Sequence, residues 1–246
     1  MKNLKNNTTE YIIKARSGCK DIWNAYMANN ALFSVHDIPL CPTTATDIPK
    51  SIITWEEAKS IYKKSITKAD NSFFITSYVC FYLDDYKFDS KNGIWSNPKQ
   101  ALKILRHFAG IITPDFSTYQ DFPFPLKIYN TYRMRLFGYW IGQNGISVIN
   151  NVRWGTEESW SYCFEGIPKN SIVSIGTLGG SPKKHIDRKR FENGLQKMIE
   201  VLQPHTIIVY GSSNYDCFNI IKAKGINVIS FQSNTAKYWD GRKENE

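Results

Sequence analysis

The chain has 246 residues, of which 42% are hydrophobic and 22% charged; this composition argues against a disordered protein and allows one large or two small domains. A net charge of +9, from 31 Lys and Arg against 22 Asp and Glu, favours a polyanionic or phosphorylated partner. Five scattered cysteines without a CxxC pair argue against a disulfide framework and a zinc site. No apolar run approaches the roughly 20 residues of a membrane span, and the first residues lack an apolar signal region. We therefore expect a cytoplasmic protein with no membrane partner.

Short apolar segments alternate with helical patterns along most of the chain. Thr54 and Glu57 have the spacing of a capping box, which predicts a helix from there to about residue 64. Pro98 after Asn97 predicts a second helix to about residue 106. Further helices are predicted over 126–137, around 191–202 and over 216–224. Strands are predicted at 32–35, 72–83, 109–112, 146–149, 171–175, 206–209 and 227–230.

This alternation predicts an α/β fold built from βα units with a mainly parallel sheet. An irregular or incomplete (β/α) barrel and a doubly wound open sheet both fit, and we favour the barrel because polar residues follow nearly every strand. No linker divides the chain, so residues 31–235 are predicted to form a single α/β domain. Residues 1–30 are predicted to be a partly disordered N-terminal extension, and residues 236–246 a polar C-terminal tail.

Acidic residues follow the first three predicted strands: Asp37, the pair Asp84 and Asp85, and Asp115. The carboxyl ends of parallel strands meet at one edge, so these carboxylates are expected near one rim. Converging carboxylates bind a hard cation such as Mg²⁺ or Mn²⁺, as in two-metal phosphodiesterases, and Asp84 and Asp115 are the predicted metal ligands. The alternative is that these aspartates shape turns and cap helices.

A glycine-containing segment after the fifth predicted strand leads into a basic helix, which is the arrangement of a phosphate cradle. Glycines let backbone N–H groups approach an anion, and a helix N-terminus adds partial positive charge. The alternative is a solvated helix start, since neither a Walker A loop nor a GxGxxG fingerprint is present. The predicted phosphate-binding residues are Thr177, Gly179, Gly180, Lys183 and Lys184, with Ser212 from the loop after the sixth strand.

Aromatic and cationic residues interleave near residue 130, and further arginines follow at the start of the basic helix. Nucleobases stack on aromatic rings and arginines contact phosphates, which predicts a nucleic-acid interface. Ordinary helix packing, with aromatic and arginine side chains on different faces, is the alternative. The predicted nucleic-acid contacts are Tyr132, Arg133, Arg135, Arg188 and Arg190.

Several short motifs, taken in order over about residues 35–215, are similar to those of a known family. They are Asp84-Asp85, the Thr-Pro-Asp-Phe-Ser run at 113–117 with Tyr119, Asn130 with Tyr132-Arg133, Val-Arg-Trp-Gly at 152–155, Cys-Phe-Glu-Gly-Ile-Pro at 163–168 and Thr-Leu-Gly at 177–179. The chain thereby resembles an uncharacterised family, a domain of unknown function found in Gram-positive bacteria, their phages and plasmids. The resemblance implies a mobile-element protein in a bacterial host cell, acting in replication or against host defence, and it carries over no activity.

Two functions remain open at this point. In the first, the protein binds a phosphorylated ligand or nucleic acid and cuts a phosphodiester with the help of Mg²⁺ or Mn²⁺. Arg153 neutralises phosphate charge in this reaction. The catalytic carboxylates are those of Asp37, Asp84, Asp85 and Asp115. In the second, a non-catalytic protein blocks a host defence protein or nucleic-acid complex. An enzyme requires polar residues that converge in one cleft, whereas a blocker requires an exposed patch of Tyr, Trp and Arg.

Overall fold

The computed structural model describes residues 15–67, 72–177 and 185–243, and its strands form one parallel sheet. The seven described strands lie side by side in chain order, each hydrogen-bonded in parallel to the next. They are β1 (Ile52–Thr54), β2 (Ile75–Cys80), β3 (Phe108–Ile112), β4 (Ser147–Asn151), β5 (Ile172–Gly176), β6 (Thr206–Tyr210) and β7 (Asn227–Phe231).

Helices connect these strands and cover one face of the sheet. Right-handed crossovers between strands that follow chain order place every connecting helix on the same side. Short 3₁₀ helices lie at Ala25–Ala28, Asp85–Lys87 and Glu157–Ser161. The α-helices are α1 (Trp55–Thr67), α2 (Pro98–Leu105), α3 (Phe124–Gln143), α4 (His185–Leu202), α5 (Asp216–Ala223) and, after the last strand, α6 (Asn234–Lys243).

The sheet curls around its helix-free face into a half-barrel. On that inner face, the rings of Tyr82, two residues after β2, and Tyr210, at the end of β6, stack with centroids 5.1 Å apart. Three strands lie between β2 and β6, so a flat sheet would separate the two strands by about 19 Å. The predicted incomplete (β/α) barrel is therefore confirmed, and the doubly wound alternative is wrong.

Apolar side chains on both faces of the strands build the core. Val79, Ile111 and Val148 face outward and pack under the helices of the first half. Ile112 and Ile149 face inward and form a separate inner cluster with residues of β1, β5 and β6. Because both faces are buried, the strands are continuous apolar runs, as is typical of parallel sheets.

An irregular segment near residue 44 enters the sheet between β4 and β5. The backbone N–H of Thr44 donates to Val148 O at 3.0 Å, and the N–H of Val148 donates to Thr44 Oγ1 at 2.8 Å. Thr43 Oγ1 donates to Ile172 O on the other side. Strands β4 and β5 consequently pair at their carboxyl ends, where Asn151 is in register with Ser174.

The capping box at the start of α1 is confirmed. The backbone N–H and the hydroxyl of Thr54 donate to Glu57 Oε2 at 2.7 and 2.8 Å, and the N–H of Glu57 donates back to Thr54 Oγ1 at 3.4 Å. Burial raises the pKa of Glu57, but the hydrogen bonds from Thr54 and Asn234 outweigh it and the net pKa is lowered. Glu57 therefore caps the helix as a carboxylate.

One predicted strand is wrong, for a local reason. Residues 32–35 join no sheet and form only one bridge, Phe33 to Pro39; the first strand is β1, whose three residues are too short for an alternation pattern. Residues 236–243 of the predicted tail are helical, because Ser233 Oγ accepts the N–H of Ala236 and caps α6. Within the predicted N-terminal extension, Met27 and Ala28 are buried in the core. None of the described helices has the length and apolar character needed to cross a membrane.

Candidate ligand-binding cleft

Loops at the carboxyl ends of β2 to β5 enclose a cleft on the inner side of the half-barrel. It consists of a first cavity of about 280 Å³ and a second cavity of about 420 Å³. The two adjoin, because Asp115, Tyr119, Arg153 and Gly176 line both. Parallel α/β sheets and barrels place their ligand sites at this edge, so the cleft is the candidate functional site.

An ion pair between Asp115 and Arg153 forms the floor of the cleft. Asp115 follows β3 by three residues and Arg153 follows the adjacent β4 by two, so the register of these strands places the side chains side by side. Asp115 Oδ2 accepts from Arg153 Nη1 at 2.7 Å, and Asp115 Oδ1 accepts from Asn151 Nδ2 at 2.9 Å. The side chains of Asp115 and Arg153 are 13% and 22% exposed. The Asp115 carboxylate raises the pKa of Arg153, so the guanidinium stays charged.

Tyr82 extends the polar floor toward β5. Its hydroxyl donates to Asn151 Oδ1 at 3.0 Å and lies 2.8 Å from Ser174 Oγ. Burial and the nearby Asp115 charge raise the pKa of Tyr82 well above its usual value, which keeps the phenol protonated as a donor. A side chain at Gly176 would place its Cβ 2.8 Å from the Tyr82 ring, so only glycine leaves room for this ring.

Aromatic rings and a second arginine line the first cavity. Trp154 packs on Phe191 with centroids 5.4 Å apart, and both face the cavity. Arg190 lines the same space and donates to Gln120 Oε1 at 3.3 Å. Tyr119 is 56% exposed and stands between the two cavities. Two guanidinium groups beside aromatic walls suit a ligand that combines an anionic group with a flat ring.

Three of the predicted carboxylates line the second cavity: Asp84, Asp85 and Asp115. Asp85 accepts from the backbone N–H of Ser117 at 3.1 Å and from its hydroxyl at 2.9 Å. Asp84 is 69% exposed and lies 3.8 Å from Lys87 Nζ. The described residues contain no group of three or more His, Cys, Asp or Glu in metal-binding geometry. A cation at Asp85 or Asp115 would compete with the donors that these carboxylates already have.

Asp37 lines neither cavity of the cleft. Its placement at the rim depended on a strand at 32–35, and that segment lies outside the sheet. Asp37 instead occupies a turn with a left-handed φ of 56° and donates its N–H to Ser34 O at 3.2 Å. The alternative interpretation, a turn aspartate, is the one that the structure supports here.

Only part of the predicted phosphate cradle lies within the described residues. The loops after β5 and β6 are neighbours, as expected: Thr177 Oγ1 donates to Ser212 O, and the N–H of Thr177 donates to Tyr210 O, both at 3.1 Å. Gly179, Gly180, Lys183 and Lys184 lie outside the described residues. That segment joins Gly176, which lines both cavities, to α4, whose first turn contributes Asp187 to the first cavity.

Three of the predicted nucleic-acid contacts lie on α3 and are bonded within the protein; Arg133 and Arg135 are buried, so for these two the prediction is wrong, and Tyr132 is partly buried. Arg135 is 0% exposed and donates to the carbonyls of Asn151, Cys163 and Glu165. Arg133 is buried against the Phe116 ring and pairs with Asp89 at 2.7 Å. The hydroxyl of Tyr132 donates to Trp23 O. Arg188 and Arg190 do lie exposed on α4.

The glycine at position 194 of α4 sets the position of Trp154 in the cavity wall. A Cβ added at Gly194 would lie 2.0 Å from Trp154 Cδ1, whereas one added at Gly142 of α3 meets only ordinary contacts at 3.6 Å. We expect Gly194→Ala to lower the free energy of unfolding by about 1–3 kcal/mol, since overpacking outweighs the helix propensity of alanine. Gly142→Ala is the control and should raise stability by about 0.5–1 kcal/mol. Urea unfolding measures both, and equal stabilisation by the two would contradict the packing described.

The chain matches a known protein family over most of its length. The sequence model of the family described as "Domain of unknown function (DUF4417)" matches residues 31–232, which include the seven described strands and every residue that lines the cleft except Thr235. The chain belongs to this family. Its resemblance to an uncharacterised family is thereby confirmed.

Two phage proteins are similar to this DUF4417 chain. One is the "Gene 1 protein" of Mycobacterium phage D29, which is 31% identical over 214 residues, 86% of this chain and 70% of the phage protein. The other is the "Gene 1 protein" of Mycobacterium phage L5, 35% identical over 131 residues, 53% of this chain and 56% of the phage protein. The matched part of this chain thus spans little more than half of the L5 protein. No solved structure matches the chain.

Proposed function

We propose that this DUF4417 protein binds a phosphorylated ligand of nucleotide type, free or as part of a nucleic acid, in the cleft at the carboxyl ends of β2 to β5. The observation that carries the proposal is the position of Arg153. Its Nη1 is held by Asp115, while its Nε and Nη2 make no hydrogen bond to the described part of the chain. A fixed guanidinium with donors to spare is the usual contact for a phosphate.

The surroundings of Arg153 support the same ligand class. Arg190 adds a second cation to the first cavity, and the first turn of α4 adds the positive end of an 18-residue helix. Trp154 and the exposed Tyr119 supply flat surfaces on which a nucleobase stacks. Lys183 and Lys184 belong to the segment that leads into this helix, and the net charge of +9 draws anions to the protein.

Isothermal titration with AMP and with adenosine tests the proposal. Wild-type protein is expected to bind AMP more tightly than adenosine, because only AMP offers a phosphate to Arg153. Arg153→Gln is expected to weaken AMP binding at least about 10-fold, which is the loss of affinity expected when one charge-assisted hydrogen bond is removed. Adenosine binding should be unchanged. With single-stranded DNA, the slope of log K against log salt should fall by about 1 in this variant.

Arg106→Gln is the matched control for this experiment. Arg106 is exposed at the amino end of β3, opposite the cleft, and its guanidinium lies 3.5 Å from Asn144 Oδ1. Its removal changes the net charge of the protein equally and should leave AMP affinity unchanged. Equal loss in the two variants would show that the net charge, and not the cleft, binds the phosphate.

Binding of a host macromolecule without catalysis is the second candidate. The specific observation in its favour is the exposure of aromatic rings at the cleft: Tyr119, which lines both cavities, is 56% exposed, and Tyr86, between the lining residues Asp85 and Lys87, is 70% exposed. If wild-type protein binds neither AMP nor single-stranded DNA, the phosphate proposal fails and this candidate replaces it.

A further inference from the structure

We infer that Tyr82 and Asn151 are positioning residues that hold Arg153 in place for the phosphate of the ligand. The inference deepens the proposed function and rests on it. Neither side chain was predicted to belong to the site, and Asn151 is buried. Their role follows from one continuous line of hydrogen bonds, which runs along the inner floor of the cleft from Ser174 through Tyr82, Asn151 and Asp115 to Arg153.

Every hydrogen bond in this line has a defined direction. Asn151 Oδ1 can only accept, so the Tyr82 hydroxyl donates to it, and Ser174 must donate to Tyr82 in turn. The other end of the same amide, Asn151 Nδ2, donates to Asp115 Oδ1. Tyr82 thereby fixes which end of the amide faces the carboxylate. The carboxylate in turn receives Arg153 Nη1 on its second oxygen.

The two positioning residues are themselves held rigidly. The ring of Tyr82 lies between the stacked ring of Tyr210, with an interplanar angle of 15°, and the backbone of Gly176. The backbone of Asn151 is held on both sides, because its N–H donates to Thr113 Oγ1 at 2.8 Å and its carbonyl accepts from Arg135 at 3.0 Å. A side chain built on such supports keeps its orientation while a ligand binds.

Loss of the Tyr82 hydroxyl should therefore act through Arg153 and not on the fold. Without that donor, Asn151 Oδ1 is left unsatisfied in the buried floor, and the amide shifts toward another partner, which disturbs the bond from its Nδ2 to the Asp115 carboxylate. Asp115 then moves, and the guanidinium paired with it leaves the phosphate position. Contacts to the base or sugar, which involve Tyr119 and Trp154 in the proposed site, remain as they were.

Tyr82→Phe tests this role, with Tyr210→Phe as the matched control. Tyr210 contributes the other ring of the stack, but its hydroxyl accepts from the Asn234 N–H and lies outside the line to Arg153. We expect Tyr82→Phe to weaken AMP binding about 3- to 10-fold, the value of one hydrogen bond, without changing adenosine binding. In an Arg153→Gln background the same substitution should have no effect on AMP binding, because the residue it positions is gone. Tyr210→Phe should change neither affinity.

Three results would overturn the inference: unchanged AMP affinity in Tyr82→Phe, equal weakening of AMP and adenosine, or effects that add to those of Arg153→Gln. If the wild type binds neither AMP nor single-stranded DNA, the proposed function fails, and NMR of the Arg153 guanidinium decides the positioning role by itself. Slow guanidinium rotation in the wild type that becomes fast in Tyr82→Phe, but not in Tyr210→Phe, supports the role. Equal rotation rates in all three proteins contradict it.

Discussion

Replacing Arg135 with methionine is expected to lower the free energy of unfolding by at least about 3 kcal/mol, because three buried carbonyl groups lose their donor at once and each such loss costs about 1–3 kcal/mol. These are the carbonyls of Asn151, Cys163 and Glu165, bonded by Nη1, Nη2 and Nε at 3.0, 3.1 and 3.0 Å. Burial lowers the pKa of Arg135 to about 10, so the group is still charged at neutral pH. With total stability of about 5–15 kcal/mol for a typical domain, the loss is a large share.

Arg135→Lys should recover only part of this loss, since one ammonium on a flexible stem cannot reproduce a planar fork that reaches three carbonyls. Arg106→Met is the control, because Arg106 is exposed and its substitution should change stability by less than about 0.5 kcal/mol. Urea unfolding measures all three variants. A cost for Arg135→Met no larger than that for Arg106→Met would contradict the interior role of Arg135.

Asp115→Ala is expected to lower the free energy of unfolding by about 3 kcal/mol, the lower end of the cost of breaking a buried ion pair. The substitution leaves the Arg153 guanidinium and the Asn151 amide without an acceptor in a largely enclosed floor. Asp84→Ala is the control, because the Asp84 carboxylate is mostly exposed. Its removal should change the free energy of unfolding by no more than about 0.5 kcal/mol. Thermal unfolding of the three proteins gives the comparison.

The same proteins separate an ion pair from a metal site at Asp115. If Arg153 satisfies the carboxylate, millimolar Mn²⁺ leaves the melting temperature of the wild type unchanged. A rise with Mn²⁺ that disappears in both Asp84→Ala and Asp115→Ala would show instead that the two carboxylates bind a metal, as the sequence first suggested. That result would revive metal-assisted phosphodiester cleavage as the function of the cleft.

Most of the fold could be predicted because its signals are local. The capping box of Thr54 and Glu57 marks α1, and the apolar runs of β3 to β7 differ from the observed strands by at most two residues at either end. The first strand could not be predicted, since its three residues show no alternation. The apolar run at 32–35 has an equally strand-like composition, although it forms only one bridge. Predicting the first strand at 32–35 instead of at β1 placed Asp37 in the predicted site.

The sequence predicts the parts of the candidate site that follow from the order of the strands. It does not predict the parts that depend on the curvature of the sheet. Asp115 and Arg153 follow adjacent strands, so their proximity is a consequence of the topology. Tyr82 reaches β4 and β5 only because the sheet curls, which no sequence pattern encodes. Arg135 looks like a surface cation in the sequence, and its burial depends on carbonyls supplied by a distant loop. The one available signal for Asn151 and Ser174 was a polar residue in a strand that also holds apolar residues, at the end of β4 and between Val173 and Ile175 in β5.

A crystal structure of the protein grown with millimolar AMP tests whether Arg153 binds the phosphate in the cleft. We expect a phosphate oxygen about 3 Å from Nε or Nη2 of Arg153, with Nη1 still bonded to Asp115 and the base beside Tyr119 or Trp154. AMP bound outside the cleft, or bound in it with its phosphate away from Arg153, would show that Arg153 is not the phosphate contact.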